Sequence, residues 1–374
     1  MAYFVLGLSD EIGYYGVNYW VLNPMKDPNL YLTPDIVKLV AEIDEFKGRW
    51  QALENLSPER LSALRKVATV ESVGSSTRIE GARLTDAQVE TLLSGLGKTS
   101  FASRDEQEVA GYAHAMDLVF EAFADLRLTE NHIRQLHQTL LRYSHKDERH
   151  RGSYKTLDNH VVAFDADGHE IGIIFETATP FDTPREMEEL VAWTVKAIDE
   201  EALHPLLTIA VFVVTFLAIH PFQDGNGRLS RVLTTLLLLR AGYVYVPYAS
   251  LECVIEKNKD LYYKALRRTQ TTLKGDASDW EPWVGFFLRC LKKQKNNLAE
   301  RLDCDQISSN DDTELPEISL KILSLLRTHN RQNIVQITEA TGANRNTIKL
   351  RLRELVNSAK IRRHGKARAT WYTL

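Results

Sequence analysis

Cysteine and long apolar runs are both scarce in this sequence of 374 residues. Its cysteines, Cys253, Cys290 and Cys304, are too few and too scattered to predict a disulfide framework or a zinc site. The longest apolar stretch spans residues 206–219. It is shorter than the roughly 20 residues that cross a bilayer, so we expect a buried core helix there. Because no basic segment precedes the apolar residues at the start, no signal peptide is predicted, and we expect a cytoplasmic protein with no membrane partner.

The formal net charge is also small, −4, with 26% charged and 44% hydrophobic residues. That balance excludes a mainly disordered chain, and the length is typical of two or three domains. The charge is nevertheless uneven, because residues 317–374 contain four lysines and eight arginines against three glutamates. This tail has a formal charge of +9, which leaves −13 for the residues before it. Residues 303–316, polar and rich in aspartate, are typical of a linker between the two parts.

Apolar residues recur at helical spacing through most of the acidic part, which predicts a mainly α-helical fold. One stretch, residues 160–175, differs, because two short apolar runs flank a turn at Gly168, a pattern typical of a β-hairpin. Thr33 and Thr129 are expected to cap the helices that follow them. The predicted helices are residues 34–52, 58–70, 106–123, 129–141, 184–197, 205–219, 229–241, 260–268 and 280–298.

A cluster of chemically specific residues lies between two of these helices, in the sequence H-P-F-Q-D-G-N-G-R-L-S-R of residues 220–231. Gly225 and Gly227 allow a tight turn whose N–H groups, together with the positive end of the next helix, form an anion site. Arg228 and Arg231 are three residues apart, so both guanidinium groups lie on one helical face near that site. The segment therefore favours binding of a polyphosphate.

His220 and Asp224 are the reactive candidates of this segment. His220 has an ordinary pKa that suits a general base at neutral pH. Asp224, beside a polyphosphate, is a natural magnesium ligand. Each residue alone has a structural interpretation, and Phe222 between them is expected to anchor the turn in the core. The combination of base, carboxylate, glycines and arginines within twelve residues favours a functional site.

The same segment agrees at every position with the H-P-F-x-[D/E]-G-N-G-R-x-x-R signature, so the sequence resembles the Fic-domain proteins. The resemblance implies a helical core with a β-hairpin flap, and an adenylyltransferase that moves AMP from ATP, with Mg²⁺, to a Ser, Thr or Tyr hydroxyl of a protein, itself included. Gly227 is not the lysine of the kinase-like branch, so the resemblance is to the adenylylating branch. It makes His220 the catalytic residue, Asp224 the metal ligand, and the nucleotide-binding residues Asp224, Gly225, Asn226, Gly227, Arg228, Leu229, Ser230 and Arg231.

Further nucleotide contacts are implied outside the signature. The flap would be residues 160–175, with Ile173 and Ile174 near the nucleotide, and it would align an extended target segment through main-chain hydrogen bonds. Tyr262 and Gln270 stand where the family contacts adenine, although relatives often have asparagine at the second position. From the sequence alone, Tyr262 fits equally well as an aromatic residue on a helix surface.

An inhibitory motif is implied near the N-terminus, where Ser76-Thr-Arg-Ile-Glu80-Gly81 resembles the family's [S/T]-x-x-x-E-[G/N]. Ser76 and Glu80 are four residues apart and would share one face of a helix. A Glu80 carboxylate paired with Arg231 would occupy the guanidinium that should bind the γ-phosphate. ATP would then bind in a pose unsuited to attack on the α-phosphate.

The basic tail predicts a winged helix–turn–helix, with helices at residues 317–328, 334–341 and 346–359 and two strands within residues 361–372. Its charge favours DNA, with contacts from Arg345, Lys349, Arg353 and Arg363. The alternative is a module for protein interaction or dimerisation. The complete division is an N-terminal helical region with the inhibitory motif (residues 1–105), a Fic catalytic domain (106–302), the linker (303–316) and the winged helix–turn–helix domain (317–374).

The leading hypothesis is thus a self-inhibited protein adenylyltransferase whose partner is a protein with a hydroxyl side chain. Two alternatives stay open: a DNA-binding transcription regulator whose Fic body senses nucleotide without transferring it, and removal of AMP by the same site. Many Fic proteins dimerise, so a homodimer is also expected, with no interface assigned.

Overall fold

The structure is a computed structural model, and it describes residues 30–52, 56–95, 101–164, 170–273, 275, 277–311, 316–329, 331–358, 360–365 and 370–374. The larger part is helical, as the sequence predicts, with one antiparallel hairpin. Its helices are α1 Pro34–Gln51, α2 Pro58–Ile79, α3 Asp86–Ser94, α4 Arg104–Ala122, α5 Glu130–Leu140, α6 Thr183–Asp199, α7 Pro205–Ile219, α8 Asn226–Arg240, α9 Leu251–Lys257, α10 Lys259–Gln270 and α11 Glu281–Asp311.

Helix α7 is the centre of the larger core. Its residues after Pro205 are all buried, because a helix that is apolar on every side must be covered on every side. Helices α6, α8, α10 and α11 pack against it, and the Trp283 indole donates to Ala210 O at 2.7 Å. The expected core helix is confirmed, and its C-terminal end brings His220 to the inner side of the site. Within the described residues, no helix is both long and apolar enough to cross a bilayer.

Short polar side chains begin several helices as the sequence predicts. The Thr33 hydroxyl accepts from the Ile36 N–H at 3.3 Å, and the Thr129 hydroxyl accepts from the His132 N–H at 3.2 Å. These caps fix the starts of α1 and α5.

The hairpin expected at residues 160–175 is confirmed. Strand β1 (Val161–Phe164) pairs antiparallel with β2 (Glu170–Phe175), and Val162 lies opposite Ile173. The predicted turn at Gly168 lies outside the described residues.

Helix α2 is longer than predicted and ends at Ile79 rather than at residue 70. The extension contains small residues with little apolar periodicity, among them Ser72, Gly74 and Ser76, and they are buried. Small side chains let α4 and α9 approach this end of the helix closely, a tertiary effect that periodicity does not report. Helices α3 and α9 were likewise not predicted.

Helix α11 also exceeds its prediction, because it continues to Asp311 instead of ending at residue 298. Residues 303–311 of the predicted linker are therefore helical, and the role of residues 303–316 as a linker between two domains stays a prediction. No glycine or proline interrupts those residues, so their polar composition is compatible with a helix. Residues 312–315 lie outside the described residues.

The tail forms a second, smaller core. Its elements are α12 Glu317–His329, β3 Gln332–Asn333, α13 Ile334–Thr341, α14 Arg345–Asn357, β4 Arg362–His364 and β5 Trp371–Thr373. The strands lie antiparallel in the order β3-β5-β4. Ile322, Ile337 and Ile348 are fully buried in this core. The three helices and two strands expected here are confirmed, whereas β3 is too short to show in a sequence pattern.

Candidate active site

The turn between α7 and α8 carries the candidate base. His220 ends α7 in the left-handed region (φ +53°), and its N–H donates to Phe216 O at 2.9 Å. A left-handed backbone is uncommon for a residue with a Cβ, and here it turns the chain sharply away from the helix. The imidazole Nδ1 lies 3.3 Å from Leu217 O, and since a carbonyl only accepts, Nδ1 carries the proton. Nε2 is left as the acceptor that a general base needs.

The surroundings of His220 keep its imidazole neutral. Burial and the positive charge of Lys155 lower the pKa of His220 to about 4, against the opposing effects of the Leu217 carbonyl, Glu80 and Asp224. At neutral pH the ring is therefore in the form that accepts a proton.

Phe222 and Asn226 hold the turn against the core. Phe222 is fully buried, as expected, and stacks on the His137 ring with 3.8 Å between centroids. The Asn226 amide accepts from the Phe222 N–H at 2.9 Å and donates to the Phe222 carbonyl at 2.6 Å. His137 accepts from the Gly152 N–H at 2.8 Å and donates to Asp224 O at 2.9 Å. The Asn226 side chain is thus engaged in the turn, which leaves its main chain for a ligand.

The start of α8 has the backbone geometry that the glycines predict for an anion site. Gly225 caps the helix in the left-handed region (φ +82°), which glycine adopts without strain. The first N–H groups of a helix have no partner within it and lie at the positive end of its dipole, so they suit phosphate oxygens. Leu229 lies in the core and the Ser230 hydroxyl donates to Gly227 O at 2.8 Å, so these two side chains are already engaged.

Asp224 lies between two arginines at the mouth of this anion site. One carboxylate oxygen accepts from Arg228 Nη2 at 3.1 Å, and the other accepts from Arg104 Nη2 at 3.2 Å. Glu108 on α4 binds both arginines, at 3.3 Å and 2.8 Å. Burial alone would raise the pKa of Asp224, but Arg228, the Gly225 N–H and Arg104 outweigh burial and lower it. Asp224 is therefore ionised at neutral pH, and its predicted role as a metal ligand stays a prediction.

Arg231 is buried and bound to the end of α2. Its Nε donates to the Ser76 hydroxyl at 2.8 Å, and its Nη2 donates to Ser76 O at 2.9 Å and to Glu80 Oε1 at 2.7 Å. Glu80 also lies directly over Gly227, where an added Cβ would be 2.2 Å from Oε1. The carboxylate of Glu80 thus occupies the space beside the first turn of α8, and the expected common face of Ser76 and Glu80 is confirmed.

Residues 127–238 match the model of the Fic/DOC family. This match covers α5, the hairpin, α6, α7 and nearly all of α8, so the resemblance of this region to Fic domains, expected from residues 220–231, is confirmed.

The sequence is also similar to curated proteins that are named adenylyltransferases. The sequence is 27% identical over 275 residues to a protein adenylyltransferase Fic of Drosophila grimshawi, covering 72% of this chain and 51% of the relative. It is 26% identical over 295 residues to that of Drosophila mojavensis, covering 76% and 53%. The chain thus spans about half the length of the curated relatives it matches.

Among solved structures, a Fic family protein from Desulfovibrio desulfuricans G20 superimposes with a TM-score of 0.58 at 25% identity, covering 93% of this chain and 98% of that one. A Fic domain containing signaling protein from Bacteroides thetaiotaomicron gives a TM-score of 0.54 at 25% identity, covering 70% and 94%. The helical arrangement described above is therefore shared with proteins that contain Fic domains.

The Fic-like site is held to α2 by contacts that the sequence did not suggest. Arg78 binds both carboxylate oxygens of Glu256 on α9, at 2.7 Å and 3.0 Å, and also binds Asp86 at 2.9 Å. Gly81 follows Glu80 in the left-handed region (φ +105°), which turns the chain away from the site. These contacts fix the end of α2, and Glu80 directly follows that end.

The predicted adenine contacts are both buried. Tyr262 packs against Trp283 and Phe286, so its interpretation as an aromatic on the helix surface is wrong. Burial raises the pKa of Tyr262 to about 12, although the nearby charge of Arg231 acts against it. Gln270 is also buried at the end of α10. The roles of both residues at a nucleotide stay predictions.

Ile173 and Ile174 lie on β2, as expected. Their side chains fall outside the described residues, so their predicted approach to a nucleotide is untested.

Several site residues come from elements far from residues 220–231 in sequence. Glu108, Arg104 and His137 lie on α4 and α5, and Lys155 lies between α5 and β1. None belongs to a pattern with a chemical meaning of its own, so a sequence signal for them would have required knowledge of the fold.

The DNA-contact candidates lie on the surface of the tail. Arg345, Lys349 and Arg353 are exposed along α14, and Arg363 is exposed on β4. Ile348 and Leu352 on the opposite side of α14 are buried in the small core, as the sequence predicts.

Proposed function

We propose that this protein is a self-inhibited adenylyltransferase, which transfers AMP from ATP to a serine, threonine or tyrosine hydroxyl of a protein. The observation that supports it most strongly is a neutral His220 whose proton is on Nδ1, placed in the turn before the start of α8 and close in sequence to the ionised Asp224. The relatives named adenylyltransferases support the same reaction for this chain.

In this reaction His220 acts as the general base. Its Nε2 accepts the proton of the target hydroxyl while the hydroxyl oxygen attacks the α-phosphorus of ATP. A P–O bond to AMP forms and the bond to pyrophosphate breaks. The N–H groups at the start of α8, with Arg228 and Arg231, stabilise the negative charge that develops on the phosphates.

The residues present suit a magnesium ion. Asp224 is ionised, borders the anion site and offers one carboxylate, and magnesium in proteins commonly takes one or two carboxylates together with phosphate oxygens and water. Asp224 would hold the ion, and the ion would neutralise phosphate charge.

Glu80 opposes this reaction in two ways. Its carboxylate takes up the Arg231 guanidinium that a terminal phosphate needs, at 2.7 Å. It also places a negative charge against Gly227, where a phosphate would approach the helix N-terminus. A nucleotide that binds while Glu80 is in place is therefore displaced from a reactive pose.

The reaction itself is tested with the Glu80→Gly variant and ATP labelled at either the α- or the γ-phosphate. We expect the α-label to stay on the protein after denaturation and the γ-label to be lost, because AMP is transferred and pyrophosphate leaves. The His220→Ala change in the same background should abolish labelling. Retention of the γ-label would indicate transfer of phosphate and would contradict the proposal.

For the tail, we propose a DNA-binding winged helix–turn–helix. The formal charge of +9 and the exposed row of Arg345, Lys349 and Arg353 on α14 support it. Fluorescence anisotropy with duplex DNA at several salt concentrations tests it. Arg353→Glu should weaken binding and reduce its salt dependence, whereas Lys321→Glu on α12 changes the same charge and should have a smaller effect. Equal effects of the two variants would argue against α14 as the contact surface.

A further inference from the structure

One short segment binds main-chain carbonyl groups at the start of the turn between α7 and α8. Four consecutive carbonyl oxygens there accept hydrogen bonds from Lys155 and Asn159, which lie just before β1. In chain order the bonds are Lys155 Nζ to Ile219 O at 3.0 Å, Asn159 Nδ2 to His220 O at 3.2 Å, Lys155 N to Pro221 O at 2.8 Å and Asn159 Nδ2 to Phe222 O at 2.6 Å. The left-handed backbone of His220 is thus held by partners on both sides of it.

The same side chains join the two legs of the hairpin. Lys155 Nζ donates to Asn159 Oδ1 at 2.8 Å and to Thr177 Oγ1 at 3.0 Å. Asn159 lies two residues before β1 and Thr177 lies two residues after β2. The Thr177 hydroxyl also donates to Asn159 Oδ1 at 3.0 Å. The base of the hairpin and the turn at His220 therefore share one hydrogen-bond network.

Burial of Lys155 is energetically unfavourable, which argues that its ammonium has a role beyond filling space. The residue is 3% exposed, and burial lowers its pKa to about 8, with Asp158 and Glu186 acting in the opposite direction. All three ammonium donors are used, by Asn159, Thr177 and Ile219. An uncharged side chain would pack here at lower cost but would not connect these three segments.

We propose that Lys155, Asn159 and Thr177 are positioning residues that fix the base of the hairpin to the turn at His220. By holding the backbone of residues 219–222, these contacts keep the His220 imidazole in the orientation in which Nδ1 carries the proton and Nε2 is the acceptor. This inference rests on the proposed role of His220 as the base.

The network is tested with Lys155→Met, Lys155→Arg and Thr177→Val, in the full-length protein. The His220 tautomer is measured from the side-chain ¹⁵N chemical shifts of labelled histidine. For this measurement each variant retains Glu80. The rate of self-labelling with α-labelled ATP is measured at several ATP concentrations in the Glu80→Gly background. We expect Lys155→Met to give a mixture of His220 tautomers and to lower kcat by roughly tenfold to a hundredfold, while the KM for ATP changes little.

The other variants separate positioning from folding. Lys155→Arg retains donors and should restore much of kcat, and Thr177→Val, which removes one hydroxyl, should shift the tautomer balance less. Lys196→Met, at an exposed lysine of α6, is the matched control and should leave both measurements unchanged. If the Lys155→Met variant fails to fold, the His220 tautomer is measured in the Thr177→Val variant instead.

A folded Lys155→Met with a single His220 tautomer would overturn the inference, as would a single tautomer in Thr177→Val where Lys155→Met does not fold. If no variant transfers AMP, including those with the network intact, the proposed function fails, and the ¹⁵N measurement still decides whether the network orients His220.

Discussion

At the scale of single residues, the site depends on groups whose burial sets their protonation. His137 is 1% exposed, and burial lowers its pKa to about 4, mainly against the hydrogen bond to Asp224 O. It stays neutral in the folded protein and donates from Nε2 to Asp224 O, in the turn that carries His220. The same burial makes the folded state bind fewer protons than the unfolded state below the ordinary histidine pKa.

This difference predicts a pH dependence of stability. As the pH falls from about 6.5 toward 4, the unfolded state gains a proton at His137 that the folded state does not bind, so the free energy of unfolding decreases, by about 1.4 kcal/mol per pH unit for this residue. Urea unfolding at several pH values in this range measures the slope. Glutamine does not titrate, so the His137→Gln variant should show a smaller slope. An unchanged slope would contradict the lowered pKa of His137 in the folded protein.

Gly227 offers a second test at this scale, because Glu80 lies where a Cβ would be. Gly227→Ala should destabilise the wild-type protein by about 1–3 kcal/mol, since the carboxylate must move away from Arg231. In the Glu80→Gly background the same change should be neutral or stabilising by up to about 1 kcal/mol, because alanine favours a helix. The two free energies of unfolding are measured by urea denaturation. The same change in stability in both backgrounds would show that Glu80 does not occupy this space.

Sequence reasoning found the residues with specific chemistry and the anchor Phe222, and it missed the more distant residues that orient them. His220, Asp224 and Arg231 were predicted because they lie close together in sequence and their types suggest a base, a cation ligand and a phosphate contact. Lys155 and Glu108 reach the site through the fold from distant positions, and a lone lysine or glutamate in a sequence predicts a solvated surface. Tertiary contacts of this kind leave no local pattern.

At the scale of elements, the end of α2 is the part of the structure that periodicity described least well. Its small residues pack closely against α9, and Arg78 binds Glu256 there through both carboxylate oxygens. Helix α7, in contrast, was predicted with its bounds, because the nearly continuous apolar stretch of residues 206–219 has one structural solution in a protein of this composition. The bounds of a helix can therefore be predicted from the sequence when its own apolar residues determine its burial. They cannot be predicted in this way when its burial depends on close packing of neighbouring helices.

The Arg78–Glu256 pair predicts how firmly Glu80 is held. Glu256→Gln should loosen the end of α2 and raise self-labelling with α-labelled ATP, by less than removal of Glu80 itself. Hydrogen exchange of residues 76–82 should also become faster. Lys66→Gln on the same helix breaks an exposed pair with Glu90 and serves as the control, which should leave labelling unchanged. A slower rate in Glu256→Gln would contradict this role.

At the scale of the whole molecule, the described residues form two hydrophobic cores, and the parts of the sequence that contain them differ in formal charge. The larger contains the site of the proposed transfer, and the smaller contains the exposed basic side chains of the tail. The net charge of −4 averages over these parts, so it did not exclude a nucleic-acid partner. The division into domains, the linker at residues 303–316 and the homodimer expected from the family resemblance stay predictions. Within that linker, residues 303–311 are helical.

The most direct measurement is the rate of self-labelling with α-labelled ATP, compared for the wild type, Glu80→Gly, His220→Ala and the double variant. We expect Glu80→Gly to raise the rate roughly 5- to 150-fold, the usual range for a coupling of this kind, because it frees Arg231 and the start of α8. His220→Ala should abolish labelling in both backgrounds. An unchanged rate in Glu80→Gly, or labelling that persists in the double variant, would contradict the account.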